Sequence, residues 1–112
     1  MKRFTILAML FSMPAFAHHG WSEYDADRPL QLTGTVEESG YEHPHGFVRL
    51  KTTERTWTVV LAPPTRMQNR GLEQAMLAPG GRATVYGYPN RNNDQELRAE
   101  RITLGGKTTE LR

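Results

Sequence analysis

Cysteine is absent from the 112 residues. The chain therefore folds without disulfides, even in a compartment that would permit them, and carries no thiol for a lipid anchor. Long apolar runs are missing too. The most hydrophobic stretch, Phe4 to Met13, is about ten residues, against the roughly 20 needed to cross a bilayer as a helix. No paired arginines of the twin-arginine type precede it. There is no phosphate-cradling glycine loop, no nucleophile elbow and no Ser/His/Asp order. A hydrolase needs a poised nucleophile beside a base, and nothing marks one, so enzymatic activity stays uncertain and is the least favoured class. Histidine is missing from the whole chain beyond position 45.

What is present begins with an export signal. Lys2 and Arg3 form a positive start, Phe4 to Met13 the apolar core, and Ala15-Phe16-Ala17 a small-residue cleavage site. Residues 1–17 are expected to be a signal peptide cut between Ala17 and His18. That leaves a periplasmic or secreted protein without a stable membrane anchor. The chain counts 14 Lys and Arg against 12 Asp and Glu. Lys2 and Arg3 leave with the signal, so the remaining charges balance. A neutral domain has no global attraction for phosphate backbones, and nucleic acid is not an expected partner.

Residues 18–29 lack periodicity and read as an N-terminal arm. Strict alternation from Leu30 to Glu38 predicts a half-buried strand with Leu30, Leu32 and Val36 inward, and Gly34 is a candidate for a bulge or bend. Residues 39–46 form a loop. Phe47–Lys51 and Thr56–Leu61 read as a hairpin with Val48, Leu50, Trp57, Val59 and Leu61 facing the core. Pro63-Pro64 opens a short helix, Gly71 closes it, and Leu72 to Ala78 adds a further turn. Met67 and Met76 on this stretch are expected to fill the core. Arg82 to Tyr88 alternates again. Glu96 to Leu104 changes face part-way, which predicts a bulge near Glu100 or Arg101. Residues 105–112 look like a polar tail.

Three strands, a short helix and two strands suit a mainly β domain over residues 30–104. The expected architecture is a small five-stranded barrel like the oligonucleotide/oligosaccharide-binding (OB) fold, with a small open sandwich as the alternative.

Several marks recur in an order that carries a likeness. They are His18-His19-Gly20, Leu32-Thr33-Gly34-Thr35-Val36, Pro44-His45, Pro63-Pro64, Arg70-Gly71, Pro79-Gly80, and Arg98-Ala99 to Leu104. On these the chain resembles a family of small exported bacterial proteins classed as a domain of unknown function. It departs from that pattern at His43, where asparagine is usual, at Leu72, often tryptophan, and at Gly81, often an acid. The resemblance implies an exported barrel-like domain and brings no catalytic residues.

The chemistry with the clearest signal lies in the histidines His18, His19, His43 and His45. Cleavage after Ala17 makes His18 the N-terminus, where the free amine and ring Nδ1 can chelate one metal ion. One further imidazole completes a three-nitrogen histidine brace. Nitrogen donors in a planar array favour Cu(II). His45 is the first choice for the third ligand and His43 the second, since residues two apart in an extended segment point the same way. Copper is thus the expected cofactor, and delivery, buffering or tolerance the expected role. Against this stands a surface role for all four histidines, whose spacing is not of the zinc-finger or metalloprotease kind. Glu23, Asp25, Asp27, Glu37 and Glu38 read as solvated surface, and Trp21 as a packing anchor for the arm. The alternative is a metal-free module gripping a periplasmic protein or glycan partner, with Phe47, Trp57, Tyr86 and Tyr88 as candidate contact residues.

Overall fold

The structure, a computed structural model, describes residues 20–112; the expected signal peptide, His18 and His19 lie outside the described residues. Among the described residues six strands form, β1 (Leu30–Gly40), β2 (Phe47–Lys51), β3 (Thr56–Val60), β4 (Arg82–Pro89), β5 (Glu96–Leu104) and β6 (Lys107–Glu110). A short helix, α1 (Pro64–Asn69), separates β3 from β4. The antiparallel order β3-β2-β1-β4-β5 is closed by a parallel pairing of β3 with β5. This is a closed five-stranded barrel of OB type with one added strand; the open sandwich is not formed.

The period-two pattern places its apolar residues where expected. Val36, Val48, Leu50, Trp57, Val59, Leu61, Val85, Leu97 and Ile102 are all buried in one cluster. The face change in β5 is a bulge: Tyr86 pairs with Arg101 and Gly87 with Ala99, leaving Glu100 without a partner across the β4 ladder. The bulge in β1 falls between Val36 and Glu38 rather than at Gly34. Gly34 instead meets the backbone of β2, where a Cβ would collide with the Lys51 carbonyl oxygen.

Helix α1 begins at Pro64, where a missing N–H costs nothing. Past its last residue and the Arg70 cap, Gly71 closes it, and the Gly71 φ of 82° lets the Leu72 amide reach back to the Met67 carbonyl at 2.8 Å. A 3-10 turn at Gln74–Leu77 follows. Met67, Leu72 and Leu77 join the core, whereas Met76 is exposed and does not fill it.

The C-terminal residues are not a polar tail. Gly105-Gly106 turns the chain back, and β6 pairs with the second half of β5, burying Thr109 and Leu111. β6 occupies the same edge of β5 that β3 pairs with further upstream, at Glu96 to Arg98. Cations from α1 and its C-terminal end satisfy the outer carbonyls of this segment. Arg66 donates to Leu111 at 3.0 Å, and Arg70 donates to Glu110 at 2.8 Å and to Arg112 at 3.0 Å. These contacts cover backbone groups that a bare edge would offer to another chain.

Candidate functional site

The ladder registers align one transverse row across the barrel wall. Tyr88 pairs with Arg98, Arg98 with Val60, Val60 with Phe47, and Phe47 with Gly40. Their chain neighbours Gly87, Leu97, Ala99, Val59 and Val48 are buried, so alternation sets the row on the opposite face of the wall, where Val60 is itself covered. The Phe47 ring lies across Gly40, where a Cβ would strike it.

The arm docks at one end of this row. Trp21 and Tyr88 meet edge to face at 6.2 Å, and the Arg98 guanidinium lies 4.3 Å from the Trp21 ring centroid. Arg112 also lies over Trp21, at 4.4 Å. Trp21 is thus a packing anchor whose π-face takes two arginines rather than a foreign cation. Tyr24 then forms a backbone bridge with Asn90, is 2 % exposed, and donates to Glu96 at 2.8 Å. The same carboxylate accepts from Asn90 at 2.9 Å. Burial, and then the hydrogen bond and charge of Glu96, push the Tyr24 hydroxyl far above its usual range. Burial pulls the Arg98 guanidinium below its usual value, while the neighbouring Tyr24 raises it; Arg66 and Arg112 lower it further.

The histidine loop leaves the other end of the row. It spans residues 41–46 between β1 and β2, and the His43–Pro44 peptide is cis. The loop bends at His43 and Pro44 instead of running extended. Even so, His43 and His45 both line one cleft of about 350 Å³, with Gly40, Glu42 and Phe47. His43 is exposed and His45 half-buried. The loop is held at both ends. Tyr41 donates to the Leu72 carbonyl at 2.5 Å, and Gly46 exchanges backbone bonds with Leu61 and Ala62 at 2.9 Å each. The structure therefore brings two of the four expected ligands together. Among the described residues no group of three His, Cys, Asp or Glu side chains converges as a metal set.

Of the four candidate aromatics, Phe47, Tyr86 and Tyr88 are half-buried on the outside, and Trp57 belongs to the core at 4 % exposed. Sequence reasoning missed the arginines that cover this surface. Arg101 stacks on Tyr86 at 4.6 Å, and Glu100 accepts from Arg112 at 2.9 Å and from Tyr88 at 3.3 Å. An arginine opposite each tyrosine in adjacent strands is the available signal, and it becomes visible only once the β4–β5 register is known.

A family model matches residues 7–98, most of the chain, and it is described as a family of unknown function, DUF6152. The chain belongs to this family. No curated protein matches it. Among solved structures it is similar to TiaS in a complex with its tRNA and ATP, with 23 % identity and a TM-score of 0.54 over 80 % of this chain and 20 % of that one. It is also similar to a ZRD-deleted mutant of TiaS in complex with agmatine, with 24 % identity and a TM-score of 0.53 over 76 % and 24 %. The DUF6152 chain thus spans about a quarter or less of the length of these structures. At such identity the likeness shows a shared fold alone.

Proposed function

We propose that this DUF6152 protein is exported, is cleaved before His18, and holds a copper ion between its N-terminal histidine and the β1–β2 loop. The observation that carries this reading is the transverse row. Trp21 docks on Arg98, and Arg98, Val60 and Phe47 are successive register partners. Two inter-strand steps are only about 10 Å. His18 stands three positions before Trp21, and that length of chain reaches about 10 Å when extended. His45 stands two residues before Phe47, and Phe47 lines the histidine cleft, so an arm running along the row from Trp21 would bring His18 toward that cleft.

The donor set has the right chemistry. The amine and Nδ1 of His18 close a chelate, and His45 adds a third nitrogen, with His43 beside it as substitute or partner. Nitrogen donors of this kind rank Cu(II) above the other divalent first-row metals. Glu42 on the same cleft supplies an acid that can compensate the cation's charge.

The test is a Cu(II) titration of mature protein whose N-terminus has been verified as His18, read by electron paramagnetic resonance. A version extended by one N-terminal residue and a His45→Ala variant serve as controls. The expected result is one tightly bound Cu(II) with nitrogen hyperfine coupling, lost on extension and altered by His45→Ala. Weak binding indifferent to both changes overturns the reading, and a metal-free module for a protein or glycan partner takes its place.

A further inference from the structure

A second concavity lies at the opposite end of β1 from the histidine loop. It has a volume of about 460 Å³ and is built where three separate segments meet. Arg28 comes from the arm, Arg55 from the β2–β3 turn, and Arg91 from the β4–β5 loop. Leu30, Pro89 and Trp57 supply an apolar floor. Asp25 and Asp94 also line it, so its formal side-chain balance is one positive charge.

The two acids are not equivalent to a cation site. Asp25 lies 4.0 Å from the Arg91 guanidinium and already accepts the Asp27 amide at 3.1 Å. Arg91 is further held by a 3.1 Å bond to the Ser22 carbonyl. Arg55 lies over the Trp57 ring, with its guanidinium carbon 4.0 Å from the ring centroid. That contact holds the Arg55 guanidinium beside the cleft it lines. Among the described residues the Arg28 guanidinium has no carboxylate within 4.0 Å. The loop beneath is preorganised, because the Asn90 side chain accepts the amides of Asn92 at 2.8 Å and Asn93 at 3.0 Å.

We infer that this cleft binds a small organic carboxylate, with its charged group between Arg28 and Arg55 and its apolar body over Leu30 and Pro89. Guanidinium groups match a carboxylate in plane and can bind it through two N–H donors. One net positive charge suits a monoanion. Inorganic phosphate, with more charge and no apolar part, would leave the floor uncovered.

The experiment uses the mature protein, benzoate as probe, and two-dimensional ¹⁵N NMR. Acetate lacks the apolar body and benzamide lacks the charge. Benzoate is expected to shift the Trp57 indole N–H and the amides of residues 90–94 saturably, with a Kd on the order of 1 mM. Acetate and benzamide should bind at least about tenfold more weakly, a loss expected when one charge-assisted contact or the apolar contact is removed. Arg28→Ala should weaken benzoate by a similar factor. Arg28 is exposed and packs in no core, so its loss does not threaten folding. Arg55→Gln tests the stacked partner, and Arg49→Ala on the outer wall is the control. No saturable shift with benzoate, equal binding of benzamide, or an Arg28→Ala variant that binds as the parent does would each overturn the inference.

Discussion

The Arg98 guanidinium covers the Trp21 ring at 4.3 Å, and this stack joins the Tyr24–Glu96 hydrogen bond in fastening the N-terminal arm to strand β5. Arg98 is also the register partner of Tyr88 on one side and Val60 on the other. The arm is therefore referenced to the barrel wall, with Arg91 of the β4–β5 loop holding the Ser22 carbonyl beside it. Replacing Trp21 by alanine removes two cation–π contacts and an edge-to-face ring contact, and is expected to cost about 2 kcal/mol. Urea unfolding measures it. In the copper reading the same variant keeps every ligand yet binds Cu(II) more weakly, because the arm is no longer docked. Unchanged stability and unchanged copper affinity together would show that the stack positions nothing.

Leu111 is 1 % exposed. Leu111→Ala should destabilise the protein by about 3 kcal/mol, the usual cost of emptying a buried leucine site. The measurement is the midpoint of thermal or urea unfolding. A change smaller than that of an exposed-site control such as Lys107→Ala would mean that residues 105–112 contribute no core.

Gly34 and Gly87 each lie against a neighbouring strand so closely that a Cβ would collide with backbone, at Lys51 and Arg98 respectively. Backbone cannot swing aside as a side-chain end can. Gly34→Ala and Gly87→Ala are therefore expected to cost roughly 2–3 kcal/mol each. Gly81→Ala, whose nearest new neighbour is the Ala78 carbonyl at 3.5 Å, should change stability by no more than about 0.5 kcal/mol. Equal effects at all three positions would contradict the close strand approach.

Tyr24 holds its proton more tightly in the folded protein than in the unfolded chain. Its contribution to stability is therefore complete below the ordinary tyrosine value of about 10 and declines as pH rises above it, where only the unfolded chain has ionised. Tyr24→Phe deletes the bond to Glu96 and should cost about 1 kcal/mol at neutral pH. Above about pH 10 the melting temperature of the parent should fall more steeply than that of the variant. Parallel curves across that range would remove Tyr24 as the alkaline-sensitive group.

Much of the barrel is legible because strand alternation is local. Val48, Leu50, Val59, Val85 and Leu97 fall inward by period alone, and the change of face between Ala99 and Ile102 locates the Glu100 bulge. The site is legible only in part. His43 and His45 stand close together in the sequence and share a cleft, but the arginines that cover the aromatic wall come from β5 and the C-terminus. Trp57 shares the period of Val59 and Leu61 and lies in the core as that alternation predicts, which removes it from the candidate contact aromatics.

The sequence by itself determined which segments become the first five strands, where the helix starts and stops, and which face of each of those strands is apolar. Those properties depend on neighbours two to four residues away. Tertiary structure alone decided the parallel closure of β3 on β5, the recruitment of residues 107–110 as a sixth strand, and the docking of Trp21 on Arg98. It also decided that Arg28, Arg55 and Arg91 meet at one cleft. Each of these depends on the assembled barrel, and the pairing is selected by the area buried and the backbone bonds satisfied across the whole of it, which no local pattern encodes.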